Sequence, residues 1–294
     1  MTKKVLVVLS GGQDSTTCLA IAMDMKARGE CREVHAVTFD YAQRHRREID
    51  AAYVIARLAG VDSHELVEIG PILKGTSPLT DSSQELEQYK DHDSMAAIIG
   101  DRVEKTFVPM RNALFLTLAA NRAAVLGAQT IMTGVCEADN ANYPDCRQVF
   151  INYQMEAINQ ALGYSARDDR FIDILTPLMK LSKAQSIDRL ERLGIDKFAW
   201  LAFSHTAYDG QYPPVGKDHA TVLRAHGFKE AGVPDPLIVR ALMDGLMPIP
   251  ESANYQRVPQ GLMDAITRHE QTIESWRQKD QRSATSMEGV KSNG

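Results

Sequence analysis

The 294-residue chain has no apolar stretch near the roughly 20 residues that a helix needs to cross a bilayer. A helical membrane protein is therefore excluded. The amino end, Met1-Thr2-Lys3-Lys4, leads directly into an apolar run and lacks the small-residue cleavage site of a signal peptide. Cysteine is scarce: Cys18, Cys31, Cys136 and Cys146 are scattered without paired spacing. That rules out a disulfide framework and suits a reducing compartment, so a cytoplasmic location is expected. Net positive charge is missing as well. A formal charge of −5 gives no global attraction to nucleic acid or anionic membranes, and neither is expected as a direct partner. The local run Arg44-His45-Arg46-Arg47 is the exception. It reads first as a solvated helix face and second as a phosphate contact. No internal repeat is found.

What is present is the composition of a packed globular protein, with 44% hydrophobic and 24% charged residues. The length exceeds one ordinary core and leaves room for a large domain with an appendage. Val5 to Leu9 is uninterruptedly apolar, as befits a strand buried on both faces of a parallel sheet. Further strands are expected at Val34 to Phe39, Leu66 to Ile69, Thr130 to Thr133 and Phe171 to Leu175. Helical spacing lies between them: Leu19 to Lys26, Ile49 to Ala56, Asn112 to Leu126, and Ile151 to Leu162. Ser182 and Gln185 form a capping box for another helix ending at Gly194. This alternation predicts an α/β fold with a doubly wound, five-stranded parallel sheet and right-handed crossovers.

The expected division is a phosphate-binding domain over residues 1–197, a C-terminal helical lobe over 198–280 and a flexible tail over 281–294. Residues 70–105 carry Pro71, Pro78 and a polar cluster at Asp81-Ser82-Ser83-Gln84, with no sustained period. A connection that long is uncommon unless functional, so it is read as an insert or lid.

The segment with the most chemistry is Ser10-Gly11-Gly12-Gln13-Asp14-Ser15, between the first strand and the first helix. Glycines there let the backbone approach phosphate oxygens, and the free amides and dipole of the helix start favour an anion. It is not a Walker loop, since no Gly-Lys-Ser/Thr follows, and it lacks the GxGxxG spacing. The carboxylate of Asp14 among anion-binding amides calls for a cation, for which Mg²⁺ is the first choice.

This loop resembles that of the PP-loop ATP pyrophosphatases. Four more segments narrow the likeness: Val37 to His45, Phe107 to Asn112, Gly134 to Glu137 with Tyr143-Pro144-Asp145-Cys146-Arg147, and Thr176-Pro177-Leu178. In this order and spacing they closely resemble the 7-cyano-7-deazaguanine synthase family of the queuosine pathway, from about Val5 to Phe228. The resemblance implies ATP-dependent adenylation of the carboxylate of 7-carboxy-7-deazaguanine, attack by ammonia, and a second adenylation that yields the nitrile. It also implies ATP with Mg²⁺ and a homodimer.

On the matching positions, Leu9, Ser10, Gly11, Gly12, Gln13, Asp14, Ser15 and Thr16 would bind ATP, Asp14 would hold metal, and Phe39 would lie near adenosine. Core packing is an equal explanation for Phe39. Arg111 and Lys183 would neutralise phosphate or carboxylate charge. Glu137, Tyr143, Asp145, Cys146 and Arg147 would serve the deazaguanine end, Asp145 facing the guanine-like donors. Glu137 and Asp139 would bind a second Mg²⁺ or orient ammonia, against helix capping or turn formation. Cys146 is read as a contact thiol, since adenylation needs no nucleophilic cysteine.

The family also implies a zinc site of four cysteines near the carboxyl end. Here those positions are Ala207, Val215, Asp218 and Thr221, so zinc is not expected. Helical stretches near Leu237 to Met243 and Leu262 to Trp276 would cover the altered lobe or a dimer partner. Ala42 and Met110 replace residues that are usually glycine, and Met110 would reshape whatever Arg111 faces. Two further readings stay open at this point. One is a diverged ligase passing the activated carboxylate to another amine, such as that of a protein. The other is a catalytically silent nucleotide-binding subunit.

Overall fold

The structure, a computed structural model, describes residues 3–137 and 142–291. The reading of Asp139 falls outside the described residues. At the centre of the sheet lies β1 (Lys3–Val8), followed by α1 (Gln13–Ala27), β2 (Cys31–Asp40), α2 (Arg47–Ala59) and β3 (Ser63–Glu68). After the insert with α3 (His92–Ile99) come α4 (Arg111–Leu126), β4 (Thr130–Met132), α5 (Gln148–Leu162) and β5 (Asp173–Leu175). Five parallel strands pair in the order β3-β2-β1-β4-β5, with Val5 opposite both Val34 and Thr130. The expected doubly wound sheet is what forms.

The apolar run of β1 is explained by two cores. Val5 and Val7 pack toward α1 and α2, while Leu6 packs toward α4 and α5. Successive side chains of a strand point to opposite faces, so a strand covered on both sides needs every residue apolar. β3 is different. It starts at Ser63 rather than Leu66, and Ser63, Glu65 and Glu68 are exposed. An edge strand tolerates such polarity, which hides it from a search for apolar runs.

The insert holds more structure than its composition suggests. Asp91 and Ser94 form a reciprocal capping box at the start of α3. Tyr89, Met95 and Ile99 pack with Leu223. The amide of Tyr89 donates to the carbonyl of Lys217 (2.8 Å), and that of Arg44 donates to Leu79 (2.9 Å). The guanidinium of Arg44 also donates to the carbonyls of Pro78 and Gln84, both at 3.2 Å. The basic run is thus no solvated helix face: α2 begins only at Arg47, and Arg44 ties the insert down.

Beyond β5 run α6 (Lys183–Glu191), with the expected capping box, α7 (Ile195–Ala199), α8 (His219–Ala231), α9 (Pro236–Met243) and α10 (Gln260–Lys291). Leu262, Ala265, Ile266 and Ile273 of α10 are buried in the same core as Trp200 to Phe203. Charged contacts frame that packing: Arg240 with Glu270 (2.9 Å), Arg268 with Asp196 (2.7 Å) and Arg57 with Asp280 (3.1 Å). The guanidinium of Arg57 also lies 4.4 Å over the ring of Trp276. Past Gln281, where a loose tail is expected from composition, α10 runs on to Lys291, no proline interrupting it.

Candidate active site

Strand order reverses between β1 and β4, and ligands of open α/β sheets bind in the crevice beyond the strand ends at such a point. A cavity of about 580 Å³ opens there. The loop after β1 forms one wall and Thr133 to Glu137 after β4 another. Two glycines permit the close approach. A Cβ on Gly11, whose φ is 85°, would lie 2.2 Å from the carbonyl oxygen of Glu48, and one on Gly134 would lie 2.9 Å from the backbone of Asp14. Neither position has room for a side chain.

The loop is braced by its own hydroxyls. Ser15 Oγ accepts from the amide of Ser10 and lies 3.1 Å from Ser10 Oγ, and Thr16 Oγ1 donates to the carbonyl of Gly12 (2.8 Å). Leu9, Ser10, Gly12, Gln13, Asp14 and Ser15 line the cavity, while Gly11 and Thr16 sit behind it as supports. A cation of the protein itself also reaches Asp14. Lys183 Nζ, from the first turn of α6, donates to Oδ1 at 3.0 Å and to Oδ2 at 2.9 Å. Among the described residues no three His, Cys, Asp or Glu side chains converge on a metal site. The residues nevertheless fit a phosphate chain: Ser10, Gly12 and Ser15 line the cavity, and the buried Nε2 of Gln13, which lines it too, has no hydrogen-bond partner among the described residues. A buried donor left unpaired costs about 1–3 kcal/mol, which an acceptor oxygen would recover.

The opposite wall is aromatic. Phe39 stacks on Phe115 with centroids 4.7 Å apart, and Tyr41 meets the same ring edge-on at 5.3 Å. Phe39 lines the cavity as well as packing, so its two readings coexist. Arg111, at the start of α4, lies among Tyr41, Tyr143, Tyr208 and Cys146. Tyr143, Cys146 and Arg147 line the cavity, but Asp145 does not. Its carboxylate accepts from the amide of Asn112 (3.2 Å), while Asn112 Nδ2 donates to the carbonyl of Asp145 and to Cys146 Sγ. Asp145 therefore holds the start of α4, and with it Arg111. Glu137 lines the cavity and also accepts from the amide of Gln148 (2.6 Å) at the start of α5. Tyr143 is positioned from the insert: its hydroxyl lies 2.6 Å from Thr106 Oγ1 and 3.2 Å from the buried carboxylate of Glu104.

The family model described as "Queuosine biosynthesis protein QueC" matches residues 4–232. The chain belongs to the QueC family. The 7-cyano-7-deazaguanine synthase of Gloeobacter violaceus is 52% identical over 237 residues, covering 80% of this chain and 95% of that one. The enzyme of the same name from Chromobacterium violaceum is 44% identical over 239 residues, covering 81% and 94%. Among solved structures, the U34-tRNA thiolase NcsA from Methanococcus maripaludis overlaps at a TM-score of 0.38 with 14% identity, covering 93% of this chain and 73% of that one. That likeness is too slight to build on. α9 and α10 lie beyond the segment that matches the QueC family.

Within this QueC chain the four positions where the resemblance implies zinc ligands differ in surroundings. Ala207 is fully buried and Val215 is exposed. Asp218 caps α8, accepting from the amide of Thr221 at 3.0 Å and from its hydroxyl at 2.9 Å. His205 Nε2 donates to the carbonyl of Ala207 (2.8 Å), and its ring meets His45 edge-on at 4.8 Å. Burial lowers His205 to a pKa of about 4. Arg224 of α8 is almost wholly buried and pairs with Asp235 at 2.6 and 2.7 Å, while also donating to Ser204 Oγ and Thr206 Oγ1.

Met110 corrects an expectation. Its side chain is 68% exposed and does not line the cavity, so it reshapes nothing that Arg111 faces. Met110 and Ala42 do share a physical property: φ is 66° at Met110 and 56° at Ala42, the left-handed region that favours glycine. Asn142, also at positive φ, donates to the carbonyls of Gly100 and Arg102 and so joins the site to the insert. Sequence reading missed Glu48, Tyr41, Phe115, Tyr208 and His205 as cavity residues. Phe115 and Tyr41 carried a usable signal, Phe115 being an aromatic just beyond the Phe107 to Asn112 segment and Tyr41 one within Val37 to His45.

Proposed function

We propose that this chain is an ATP-dependent ligase that adenylates the carboxylate of 7-carboxy-7-deazaguanine and, with ammonia, forms 7-cyano-7-deazaguanine, releasing AMP and pyrophosphate. The observation that carries the reading is that the phosphate loop opens into the same cavity as Arg111, Tyr143 and Cys146, in a chain 52% identical to a synthase of that name. A carboxylate is a poor electrophile, so activation must come first. Its oxygen attacks the α-phosphorus, the α–β bond breaks, and pyrophosphate departs from the loop formed by Ser10, Gly11, Gly12 and Ser15. Lys183, held at Asp14, and Arg111 balance the charge that gathers there. Mg²⁺ carried on the phosphates would be held at Asp14 and would offset more of it.

Ammonia then displaces AMP to give the amide. Adenylation of the amide oxygen, followed by loss of AMP and two protons from nitrogen, gives the nitrile. Both adenylations use one phosphate loop, which is why a single cavity serves two rounds. Positioning, rather than strong acid–base chemistry, supplies most of the rate. Tyr143, Cys146 and Arg147 hold the deazaguanine end, and Asp145 fixes Arg111 from behind.

The lobe works in this reading without zinc. Ala207 and Val215 carry no donor, and the carboxylate of Asp218 is committed to Thr221. The family precedent of a homodimer in the cytoplasm is part of the same proposal. Among the described residues no helix is long and apolar enough to cross a membrane. The test supplies purified protein with ATP, Mg²⁺ and 7-carboxy-7-deazaguanine, with and without ammonia, and weighs the products by mass spectrometry. Nitrile with ammonia supports the reading. Absence of substrate-dependent pyrophosphate release overturns it, and metal analysis of the same sample tests the zinc inference.

A further inference from the structure

Three carboxylates line the cavity: Asp14, Glu137 and Glu48. Two are engaged. Asp14 is paired with Lys183, and Glu137 accepts from the amide of Gln148. Glu48, in the first turn of α2, makes no hydrogen bond or ion pair with the described residues. Its main chain is nonetheless fixed against the phosphate loop, because its carbonyl fills the space where a Cβ on Gly11 would stand. Arg111 faces it from α4 and Tyr41 from the end of β2. Glu48 is therefore a half-buried carboxylate, held rigidly beside the loop and opposite the arginine that would meet the substrate's acyl end.

Resting on the proposed activity, we infer that Glu48 is the proton acceptor that turns ammonium into nucleophilic ammonia inside the cavity. At neutral pH ammonia in water is almost entirely ammonium, whose nitrogen has no lone pair to donate. An ammonium ion entering beside Arg111 needs a nearby anion, and the Glu48 carboxylate is the one without another partner. It takes one proton. The freed lone pair attacks the acyl carbon of the adenylate, forming the C–N bond. The C–O bond to AMP then breaks with its electron pair, and the departing phosphate takes the second proton from nitrogen. Glu48 returns its proton to solvent.

Basicity agrees with this role. Burial raises the Glu48 carboxyl to a pKa of about 7, with Arg111 opposing the rise. An acceptor near the operating pH combines a useful ionised fraction with enough driving force, whereas an ordinary carboxylate is a much weaker base. Besides Arg111 and Tyr41, the titratable and charged groups sharing the cavity are Arg44 and His45 on its own segment, Asp14 with Lys183 at the loop, Cys136, Glu137, Tyr143, Cys146 and Arg147 beyond β4, and His205, Tyr208, His219 and Arg224 from the lobe. Burial lowers His45 and His205, so neither adds positive charge near pH 7 that would pull Glu48 down.

The experiment uses the whole chain and compares Glu48→Gln, which keeps the side-chain shape, with Glu48→Asp, which keeps the base on a shorter arm. Pyrophosphate release that depends on 7-carboxy-7-deazaguanine is measured beside ammonia-dependent nitrile formation, across pH 6 to 9 at fixed total ammonia. Glu48→Gln should lower nitrile formation about 100-fold at pH 7, the usual scale of a lost general base, and lower pyrophosphate release far less. Its deficit should shrink as pH rises and free ammonia accumulates, while Glu48→Asp keeps the wild-type profile at a reduced rate. Equal loss of both readouts in Glu48→Gln, or a deficit independent of pH, would overturn the inference. Failure of the wild type to release pyrophosphate with this substrate would instead defeat the proposed activity.

Discussion

The phosphate loop and the lobe of residues 205–235 face one cavity but are built on opposite terms. The loop spends few side chains. Its geometry comes from backbone amides, from glycines with no room for a Cβ, and from short hydroxyl contacts within six residues. The lobe, where the QueC resemblance implies a metal, relies on long-range polar contacts: Arg224 reaches Asp235, Ser204 and Thr206, and Asp218 closes the start of α8. A loop held by local geometry tolerates little change and stays readable. A lobe held by distributed contacts can exchange one set of anchors for another, provided each buried charge keeps its partner.

The contrast can be broken at its strongest point by Arg224→Ala. It leaves Asp235 buried without its cation and should cost about 3–5 kcal/mol in urea unfolding, whereas replacing both partners by apolar residues should cost much less. Equal costs for the single and double changes would mean that the orphaned charge of Asp235 is not what the lobe depends on. On the loop side, Asp14→Asn should lower substrate-dependent pyrophosphate release by about 100-fold or more, with little change in unfolding. A comparable loss of stability would erase the distinction between the two regions.

Acid sharpens the lobe further. His205 is buried neutral, with a pKa of about 4 against an ordinary 6.5. The unfolded chain therefore binds a proton first as pH falls. The stability due to this group is complete above 6.5, is lost between 6.5 and about 4, and changes no further below. Up to about 3 kcal/mol is involved at about 1.36 kcal/mol per unit, and His205→Gln should flatten the curve in that window. Asp218→Ala removes the α8 cap and should cost about 1 kcal/mol. The smallest effect has the opposite sign. Met110→Gly and Ala42→Gly relieve left-handed backbone and should each stabilise by up to about 1 kcal/mol in thermal unfolding, the strain relief outweighing the added freedom of the unfolded chain.

Much of this was legible because it is local. The strand before the loop, the capping box at Ser182 and Gln185, and the two glycines follow from neighbours within a few residues. β3 was harder, since an edge strand lacks the apolar signature of a buried one. α3 was hidden because its eight residues are too few to show a sustained period, and Asp145 was read toward the substrate because only the fold shows that it supports Asn112. Met110 was placed beside Arg111 by adjacency, but the left-handed turn sends its side chain outward.

By itself the sequence determined where the phosphate loop lies, since close approach to phosphate needs a particular string of small residues between a strand and a helix. It determined the parallel sheet as well, through strands apolar at successive positions. Only the tertiary structure decided which side chains complete the cavity. Glu48 comes to face Arg111 across 63 residues of chain, Lys183 reaches Asp14 across 169, and Arg224 finds its partners in two separate segments. Such meetings depend on how helices pack over the sheet, and no spacing along the chain encodes them.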